Sequence, residues 1–357
     1  MRNILVTGGL GYIGSHTSIK LIEEGYNVFI VDSLVNSSIK VLKKIQVITL
    51  EKQKILKNKL FFFRGDIRDK YFLGKVFSLA KDKGLKLDLV IHFAGLKSVS
   101  ESELYPELYW EINVGGAKTL LECMKESGCW SIIFSSSATI YGDSENLILT
   151  ENLNKKPLNY YGKTKAYVED MLFDIYKNSK QSWKILNLRY FNPIGAHPSG
   201  LIGDNIFNSN NNLFPAICKV ARGEEKELKI YGKNWPTKDG TCVRDFVHVL
   251  DIAEGHVASI NFLKKYKSKF ISINLGTGIG TTVLELIKKF EISNKIKINY
   301  IFKERREGDT ARYVASNLLA YELLQWQPKL NLVSMCRDGW NWYNNYKFKG
   351  PKIDKII

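Results

Sequence analysis

The segment Thr7–Gly14 constrains the fold of this chain most, because three glycines recur there at intervals of three residues. It reads T-G-G-L-G-Y-I-G, follows an apolar run at residues 4–6 and leads into a helical pattern. Gly8 permits a tight turn, Gly11 lets backbone N–H groups approach a pyrophosphate, and Gly14 lets the helix pack close to the strand. The helix N-terminus adds partial positive charge, so this segment predicts a dinucleotide site.

A carboxylate follows the second apolar run, Val28–Val31. Asp32 lies about 20 residues beyond the last glycine, where an acid can accept hydrogen bonds from a ribose diol. The same charge would repel a 2'-phosphate, which favours NAD over NADP. The alternative is that Asp32 merely caps a loop, but strand, glycines, helix and acid in this register favour the nucleotide site.

Buried-type strands alternate with helical patterns along the first half of the chain. This alternation predicts an α/β protein with a doubly wound, parallel Rossmann sheet. The predicted strands are Leu5–Thr7, Val28–Val31, Leu60–Phe63, Leu89–Phe93, Ile132–Ser135 and Ile185–Leu188.

Glycines and prolines break the regular pattern after Tyr190. We therefore predict an NAD-binding domain at 1–190 and a smaller mixed α/β lobe at 191–357, with some segments of the lobe packing back on the first domain. The lobe contains helix Leu213–Arg222, a short strand near Leu228–Tyr231, a strand at Ile271–Leu275 and a helix from Val283. Ligands of open parallel sheets sit beyond the carboxyl ends of the strands, so the lobe should close over the cofactor there.

The formal net charge of +16 raises the question of nucleic-acid binding, since a basic surface attracts phosphate polymers. The lysines are mixed with apolar residues in amphipathic segments such as Lys40–Lys59, as on solvated helix faces. We therefore expect no nucleic-acid partner. No run of about 18 apolar residues is present, so no membrane span or membrane partner is expected.

No secretory leader is expected, because the first predicted strand already belongs to the predicted cofactor site. Five cysteines lie scattered without CxxC spacing, which favours a reducing compartment over disulfides or structural zinc. The five histidines form no ligand cluster, so no metal site is predicted. Together these features predict a cytoplasmic protein.

Tyr161 and Lys165 lie four residues apart at the start of a helical pattern, which places them on one face. A phenol with a pKa near 10 is almost wholly protonated at pH 7. A lysine cation alongside, together with the positive nicotinamide ring, favours the phenolate and so creates a general base. Ser137, at the end of strand Ile132–Ser135, can bond both this phenol and a substrate oxygen. An ordinary amphipathic helix is the alternative, but the serine strand and the dinucleotide loop favour catalysis.

Further stretches extend these motifs. They are G-D-I-R at Gly65–Arg68, H-F-A-G-L-K at His92–Lys97, F-S-S-S-A-T at Phe134–Thr139, Y-G-K-T-K at Tyr161–Lys165, R-Y-F-N-P at Arg189–Pro193, V-R-D-F-V-H-V at Val243–Val249 and R-R-E-G-D at Arg305–Asp309. With the glycine loop they resemble the extended short-chain dehydrogenases that act on nucleotide sugars, and most closely the UDP-glucose 4-epimerase family. The resemblance extends from Met1 to about Trp342.

The resemblance implies a tightly held NAD that is reduced and reoxidised within one turnover. Tyr161 would remove the proton from the hydroxyl at carbon 4 of UDP-galactose as hydride passes to NAD. The 4-keto sugar would then turn about its link to the diphosphate and receive the hydride on its other face, giving UDP-glucose.

The resemblance also assigns binding residues. Besides Gly8, Gly11, Gly14 and Lys165, those implied to contact NAD are Tyr12, Ile13, Asp32, Asn36, Asp66, Ile67, Phe93, Ala94, Lys97, Asn113 and Phe191. Besides Ser137 and Tyr161, those implied to hold the UDP-sugar are Asn192, Asn212, Leu213, Tyr231, Arg244, Arg306, Asp309 and Tyr313. The two arginines suit this role because a guanidinium fork matches diphosphate oxygens.

The family comparison further implies a preference and an assembly. Tyr313 matches the position that limits room for the 2-substituent of the sugar, so N-acetylated sugars are expected to be disfavoured. The helical segments Pro106–Glu126 and Tyr161–Tyr176 match a dimer interface, which predicts a homodimer. Their apolar stripes are otherwise typical of core.

Other functions fit part of the pattern. A nucleotide-sugar dehydratase needs an acid and a base after the strand-end hydroxyl, where this chain has Ala138 and Thr139. A uronate decarboxylase or a simple alcohol dehydrogenase would not predict the whole motif set. A non-catalytic NAD-binding protein that engages nucleic acid would have no need of Ser137, Tyr161 and Lys165 together.

Overall fold

The structure is a computed structural model that describes residues 2–144, 146–204, 212–306 and 309–345. Its strands are β1 (Asn3–Thr7), β2 (Asn27–Asp32), β3 (Leu60–Arg64), β4 (Leu89–His92), β5 (Ser131–Ser137), β6 (Lys184–Tyr190), β7 (Asn192–Ile194), β8 (Leu228–Tyr231), β9 (Val243–His248), β10 (Lys269–Leu275), β11 (Gly280–Thr282), β12 (Tyr300–Lys303) and β13 (Arg312–Tyr313).

The α-helices are α1 (Tyr12–Glu23), α2 (Ile39–Leu56), α3 (Lys70–Asp82), α4 (Val99–Leu104), α5 (Pro106–Tyr109), α6 (Gly116–Ser127), α7 (Tyr160–Asn178), α8 (Leu213–Ala221), α9 (Val249–Lys264), α10 (Val283–Asn294), α11 (Leu318–Leu324) and α12 (Leu332–Asn345). A π-helical turn, Trp110–Gly115, joins α5 to α6, and a 3₁₀ turn, Ala138–Tyr141, follows β5.

Seven parallel strands form the central sheet in the order β10–β6–β5–β4–β1–β2–β3. Both faces are buried, because Ile4 and Val6 pack into the apolar core on one face and Leu5 into the core on the other. Helices α1, α2, α9 and α11 cover the first face, and α3, α6 and α7 cover the second. This arrangement confirms the predicted doubly wound Rossmann sheet.

The strand order reverses beside β1, which pairs with β2 on one side and with β4 on the other. The connections after β1 and β4 therefore lead away from each other and leave a crevice at the carboxyl ends of these strands. Crevices of this kind are where doubly wound sheets bind ligands. The glycine-rich segment after Thr7 lies at this crevice.

Strand β10 differs from the sequence prediction. We placed Ile271–Leu275 in the smaller lobe, but the strand pairs in parallel with β6 and completes the central sheet. Asn187 donates a side-chain hydrogen bond to Ser272 across this pairing, at 3.0 Å. The central sheet thus draws its last strand from beyond the predicted boundary at residue 190, and the division into domains remains a prediction.

The rest of the C-terminal half builds a second, smaller core. Strand β9 pairs with β7, β11 and β13, and β8 pairs with β12. Helices α8, α10 and α12 pack their apolar faces onto these strands, around Phe214, Phe290 and Tyr343. Because β7 follows β6 after a single residue, this small sheet begins directly beside the carboxyl edge of the large one.

Two predicted helices gain detail in the structure. The segment Pro106–Glu126 is not one regular helix, because the π-helical turn interrupts it. Helix α7 begins at Tyr160, where the Asn159 side chain caps it by accepting from Gly162 N at 2.7 Å. In the part of the chain that the structure describes, no helix is long and apolar enough to cross a bilayer.

Candidate active site

The glycine loop brings backbone atoms into close contact, and side chains at these positions would prevent that contact. Gly8 has φ +68°, which favours glycine, and a Cβ on Gly14 would lie 2.3 Å from the Gly8 carbonyl oxygen. Gly11 donates its N–H to the same oxygen at 3.0 Å and serves as the N-cap of α1 without a capping side chain. The first N–H groups of α1 are therefore left for an anion, which fits the pyrophosphate of a dinucleotide.

Asp32 is buried at the end of β2 and braces this loop. One carboxylate oxygen accepts from Leu10 N at 2.9 Å, and the other accepts from Leu34 N at 2.9 Å and from the Ser37 hydroxyl at 2.7 Å. A carboxylate offers about four acceptor sites, so capacity for a ribose hydroxyl remains. The loop-capping role considered from the sequence is therefore real and is compatible with nucleotide binding.

The other residues implied to contact NAD follow the carboxyl ends of the same strands. Tyr12 and Ile13 open α1, Asn36 follows β2, Asp66 and Ile67 follow β3, Phe93, Ala94 and Lys97 follow β4, and Phe191 follows β6. Ala94 approaches the glycine loop so closely that a Cβ on Gly8 would lie 2.7 Å from its nitrogen. Asp66 is paired with Arg68, which holds the pKa of its carboxyl below the usual value.

Asn113 lies in the π-helical turn, and its amide joins two parts of the site. The side-chain oxygen accepts from Leu96 N at 2.8 Å, while the side-chain nitrogen donates to Leu96 O and to the Thr164 hydroxyl, each at 3.1 Å. Both amide hydrogens are therefore used within the protein. Asn113 fixes the loop that carries Lys97 relative to helix α7.

Lys97 forms an ion pair that the sequence did not predict. Its ammonium lies 3.0 Å from the carboxylate of Asp204 and 5.8 Å from the centre of the Tyr12 ring. Tyr12 in turn donates its hydroxyl to Gly195 O at 2.7 Å. These contacts join the glycine loop to the segment after β7, across the mouth of the crevice.

The three residues predicted to be catalytic come together at the carboxyl end of β5. Ser137 ends the strand, and its hydroxyl accepts from Thr139 N at 3.2 Å and from the Thr139 hydroxyl at 3.0 Å. The Lys165 ammonium donates to Ser135 O at 2.8 Å and lies 5.8 Å from the centre of the Tyr161 ring. The four-residue spacing on α7 thus brings Tyr161 and Lys165 to one face, beside the serine strand.

Burial shifts the pKa values of Tyr161 and Lys165. It raises the pKa of Tyr161 to about 12, although an interaction with the Ser137 side chain acts in the opposite direction. Burial also lowers the pKa of Lys165 to about 8. The sequence argument for a lowered phenol pKa relied on the lysine together with a nicotinamide cation. The protein's own groups leave the phenol protonated at neutral pH.

Three of the residues implied to hold the UDP-sugar lie around β9 and β13. Tyr313 pairs directly opposite Arg244, and the Arg244 guanidinium lies 5.8 Å from the centre of the Tyr313 ring. Arg244 also lies 3.9 Å from the Asp309 carboxylate and donates to Thr310 O at 2.9 Å. The Tyr313 hydroxyl donates to Gly142 O, directly after the 3₁₀ turn that follows β5. Arg244, Asp309 and Tyr313 therefore form one cluster.

A second cluster of arginines and aromatic rings lies at the carboxyl ends of the paired strands β8 and β12. The Arg306 guanidinium lies 3.7 Å from the centre of the Tyr231 ring, as cation–π partners do. A neighbouring cation–π pair was not predicted from the sequence. In it, the Arg305 guanidinium lies 3.9 Å from the centre of the Trp235 ring. Within the R-R-E-G-D motif, residues 307 and 308 lie outside the described residues.

The remaining substrate-side predictions lie at element ends. Asn192 begins β7 and pairs with Phe246 on β9, while Asn212 is the exposed residue before Leu213 at the start of α8. Among the described residues, no contact joins Asn212 or Leu213 to the arginine clusters, so their role stays a prediction. In the described ranges, no three or more His, Cys, Asp or Glu side chains are arranged to hold a metal ion.

The fold and this constellation are those of the extended short-chain dehydrogenase class. The sequence matches the family model described as GDP-mannose 4,6 dehydratase over residues 5–339. It is 44% identical to UDP-glucose 4-epimerase 2 of Arabidopsis thaliana over 344 residues, which cover 96% of this chain and 95% of the relative. The chain belongs to the UDP-glucose 4-epimerase family.

Solved structures agree with this membership. A UDP-glucose 4-epimerase from Stenotrophomonas maltophila, with bound NAD and formylated UDP-arabinopyranose, matches with a TM-score of 0.89 and 40% identity over 96% of this chain and 98% of that one. The enzyme from Bifidobacterium longum, in complex with NAD⁺ and UDP, matches with a TM-score of 0.87, the same identity and the same coverage.

The glycine contact yields a test of the cofactor site. Gly14→Ala would place a methyl group 2.3 Å from the Gly8 carbonyl oxygen, so we expect most of the bound NAD to be lost. Gly74→Ala in α3 is the matched control, because a Cβ there meets no atom within 4 Å. It should retain NAD and gain about 0.5–1 kcal/mol of stability. NAD released from purified protein by denaturation measures the effect, and equal NAD in both variants would contradict the assignment.

Proposed function

We propose that this protein interconverts UDP-galactose and UDP-glucose by inverting carbon 4 of the sugar. The observation that carries the proposal is the convergence of Ser137, Tyr161 and Lys165 beside the glycine crevice, in a chain 44% identical to a named epimerase. The open N-terminus of α1 and the remaining capacity of Asp32 support NAD as the bound cofactor. NAD supplies a hydride acceptor that can return the hydride to the same carbon.

Tyr161 moves the proton in the proposed reaction. The positive charges of Lys165 and of a bound oxidised nicotinamide would favour its phenolate. The phenolate would take the proton of the carbon 4 hydroxyl as hydride leaves that carbon, which yields a 4-keto sugar. Lys165 holds positive charge beside the phenol, and Ser137 offers a hydroxyl to the same sugar oxygen. After the keto sugar has rotated in the site, hydride would return to the other face of carbon 4 while Tyr161 returns the proton to the oxygen, so no net oxidation remains.

The two arginine clusters are proposed to hold the UDP group. Arg244 and Arg306 bring guanidinium groups that match diphosphate oxygens, and the ring of Tyr231 offers a flat surface to a base. We further assign Asn192, Asn212, Leu213 and Asp309 to this binding surface. The substrate would then lie between the central sheet and the small sheet around β9.

Dehydration is the alternative nucleotide-sugar reaction, because the matching family model is described as GDP-mannose 4,6 dehydratase. It requires an acid and a base beyond the strand-end serine. This chain has Ala138, which has no polar side chain, and Thr139, whose hydroxyl is already donated to Ser137. The residues at the site therefore favour epimerisation.

Removal of the phenol hydroxyl tests the proposed base. Tyr161→Phe should lower kcat for UDP-galactose by roughly 100-fold or more, because general acid–base catalysis contributes at least that much. NAD content and thermal stability should stay near the wild-type values, since the change keeps the aromatic ring and its position beside Lys165. Conversion is followed without added NAD. Full activity in the variant would remove Tyr161 from its role.

The position of Tyr313 tests the proposed sugar preference. Its ring lies beside Arg244 and its hydroxyl reaches Gly142, so it fills space next to the proposed sugar site. Tyr313→Cys should raise activity on UDP-N-acetylglucosamine at least roughly tenfold relative to UDP-glucose. Tyr321→Cys, at an exposed tyrosine of α11, is the matched control and should change neither activity. Equal use of both sugars by the wild type would refute the steric argument.

We propose a homodimer formed through the helices that precede and include α7. The stripes noted in the sequence, such as Leu120 and Leu172, are core residues. Apolar side chains left exposed on α4, α5 and α7 include Leu104, Leu108 and Tyr167. We take these three side chains as one patch, of the kind that is typical of an interface between subunits.

Substitution on this patch tests the dimer. Tyr167 is 51% exposed and Tyr71, on α3, is 73% exposed. Tyr167→Glu should shift the protein toward monomer because it would bury a charge in the interface, while Tyr71→Glu should leave the dimer intact. Sedimentation velocity measures both, and a monomeric wild type would contradict the proposal.

The compartment is also proposed. All five cysteines are free thiols and all are buried, which fits a reducing compartment such as the cytoplasm. Cell fractionation with an antibody to the chain measures this directly.

A further inference from the structure

A buried ion pair lies behind the proposed catalytic side chains. Arg189 on β6 donates from Nε to one oxygen of Glu169 at 3.0 Å and from Nη2 to the other at 2.7 Å. The side chains are 6% and 2% exposed, respectively. This two-point, charge-assisted geometry fixes the direction of both groups as well as their distance.

Hydrogen bonds extend from this pair to the elements around it. The Ser136 hydroxyl on β5 donates to Glu169 at 2.6 Å, and Arg189 Nη1 donates to the Tyr141 hydroxyl at 2.9 Å. Tyr141 in turn donates to Asn274 on β10 at 2.6 Å. Three neighbouring strands of the central sheet and the 3₁₀ turn after β5 are thereby joined to helix α7.

The network meets α7 and β5 next to the catalytic residues. Glu169 lies four residues after Lys165 on α7, about one helical turn, and eight after Tyr161. Ser136 is the chain neighbour of Ser137. Lys165 and Glu169 both bond to β5, at Ser135 O and at the Ser136 hydroxyl, so two successive turns of α7 are fixed to two successive residues of the strand.

We propose that Glu169 is a positioning residue for the proposed epimerase reaction, held by Arg189 and Ser136 so that Tyr161 stays level with Ser137. A slip of α7 by one residue along β5 would move the phenol by about 1.5 Å. Misplacement of about 1 Å can cost 100-fold in rate. An apolar pair could stabilise the fold as well as this ion pair does, but it would not set the height of the helix so narrowly. This inference rests on the proposed function.

Two variants test the positioning role in the NAD-loaded protein. Glu169→Gln keeps the shape of the side chain and removes its charge, and Ser136→Ala removes one hydrogen bond. We expect kcat for UDP-galactose to fall at least roughly tenfold in the first and by a smaller factor in the second. KM should change less than about threefold and bound NAD should stay the same, because neither residue contacts the proposed ligands.

Asp251→Asn is the matched control for a general loss of stability. Asp251 is also a buried carboxylate, but it accepts from Lys329 N and Leu330 N, both at 3.1 Å, on the face of the sheet opposite α7. We expect this variant to have a lower Tm and a wild-type kcat below that temperature. Equal losses of kcat in Asp251→Asn and Glu169→Gln would overturn the proposal.

Hydrogen exchange supplies a readout that needs no turnover. Amides of residues 161–168 should exchange faster in Glu169→Gln than in the wild type, without sugar present. If Glu169→Gln does not fold, Ser136→Ala decides through the same two measurements. Unchanged kcat and unchanged exchange in the folded variant would refute the positioning role. A wild type without turnover would instead refute the proposed function, and the exchange data would still decide the position of α7.

Discussion

The parallel pairing of β1 with β2 on one side and β4 on the other is the constraint on which the site depends. It opens the crevice at the carboxyl ends of these strands, and the close contact between Gly14 and the Gly8 carbonyl lets α1 begin there. An uncapped helix start, a buried acid and a backbone turn thus meet at one point. The neighbouring strands β5 and β6 carry Ser137 and Arg189, and Arg189 pairs with Glu169 to join α7 to the sheet.

Much of the fold could be predicted because local patterns carry it. Each of the six predicted strands is present in the central sheet, since strands buried on both faces give short apolar runs. The partner of β10 could not be predicted, because its apolar pattern suits either sheet and the pairing depends on tertiary contacts. The π-helical turn at Trp110–Gly115 was also missed, since one added residue in a turn barely alters helical periodicity.

The proximity of Tyr161 and Lys165 was predictable, because side chains four residues apart lie on one face of a helix. The unpredicted contacts join residues far apart in the chain, as Lys97 joins Asp204 and Arg189 joins Glu169. The sequence held one signal for the role of Glu169, because this residue continues the four-residue spacing of Tyr161 and Lys165 along α7. The raised pKa of Tyr161 also lay beyond the sequence, since it depends on how completely the fold excludes water from the phenol.

The position of β10 far along the chain affects the order in which the central sheet forms during synthesis. Asn187 and its partner Ser272 lie 85 residues apart, so β6 leaves the ribosome well before the strand that covers its edge. During that interval the nascent sheet presents an unpaired strand edge, which is the surface that misassembles most readily. The central sheet therefore cannot be completed as an N-terminal unit, and its last strand is added only after most of the chain has been synthesised.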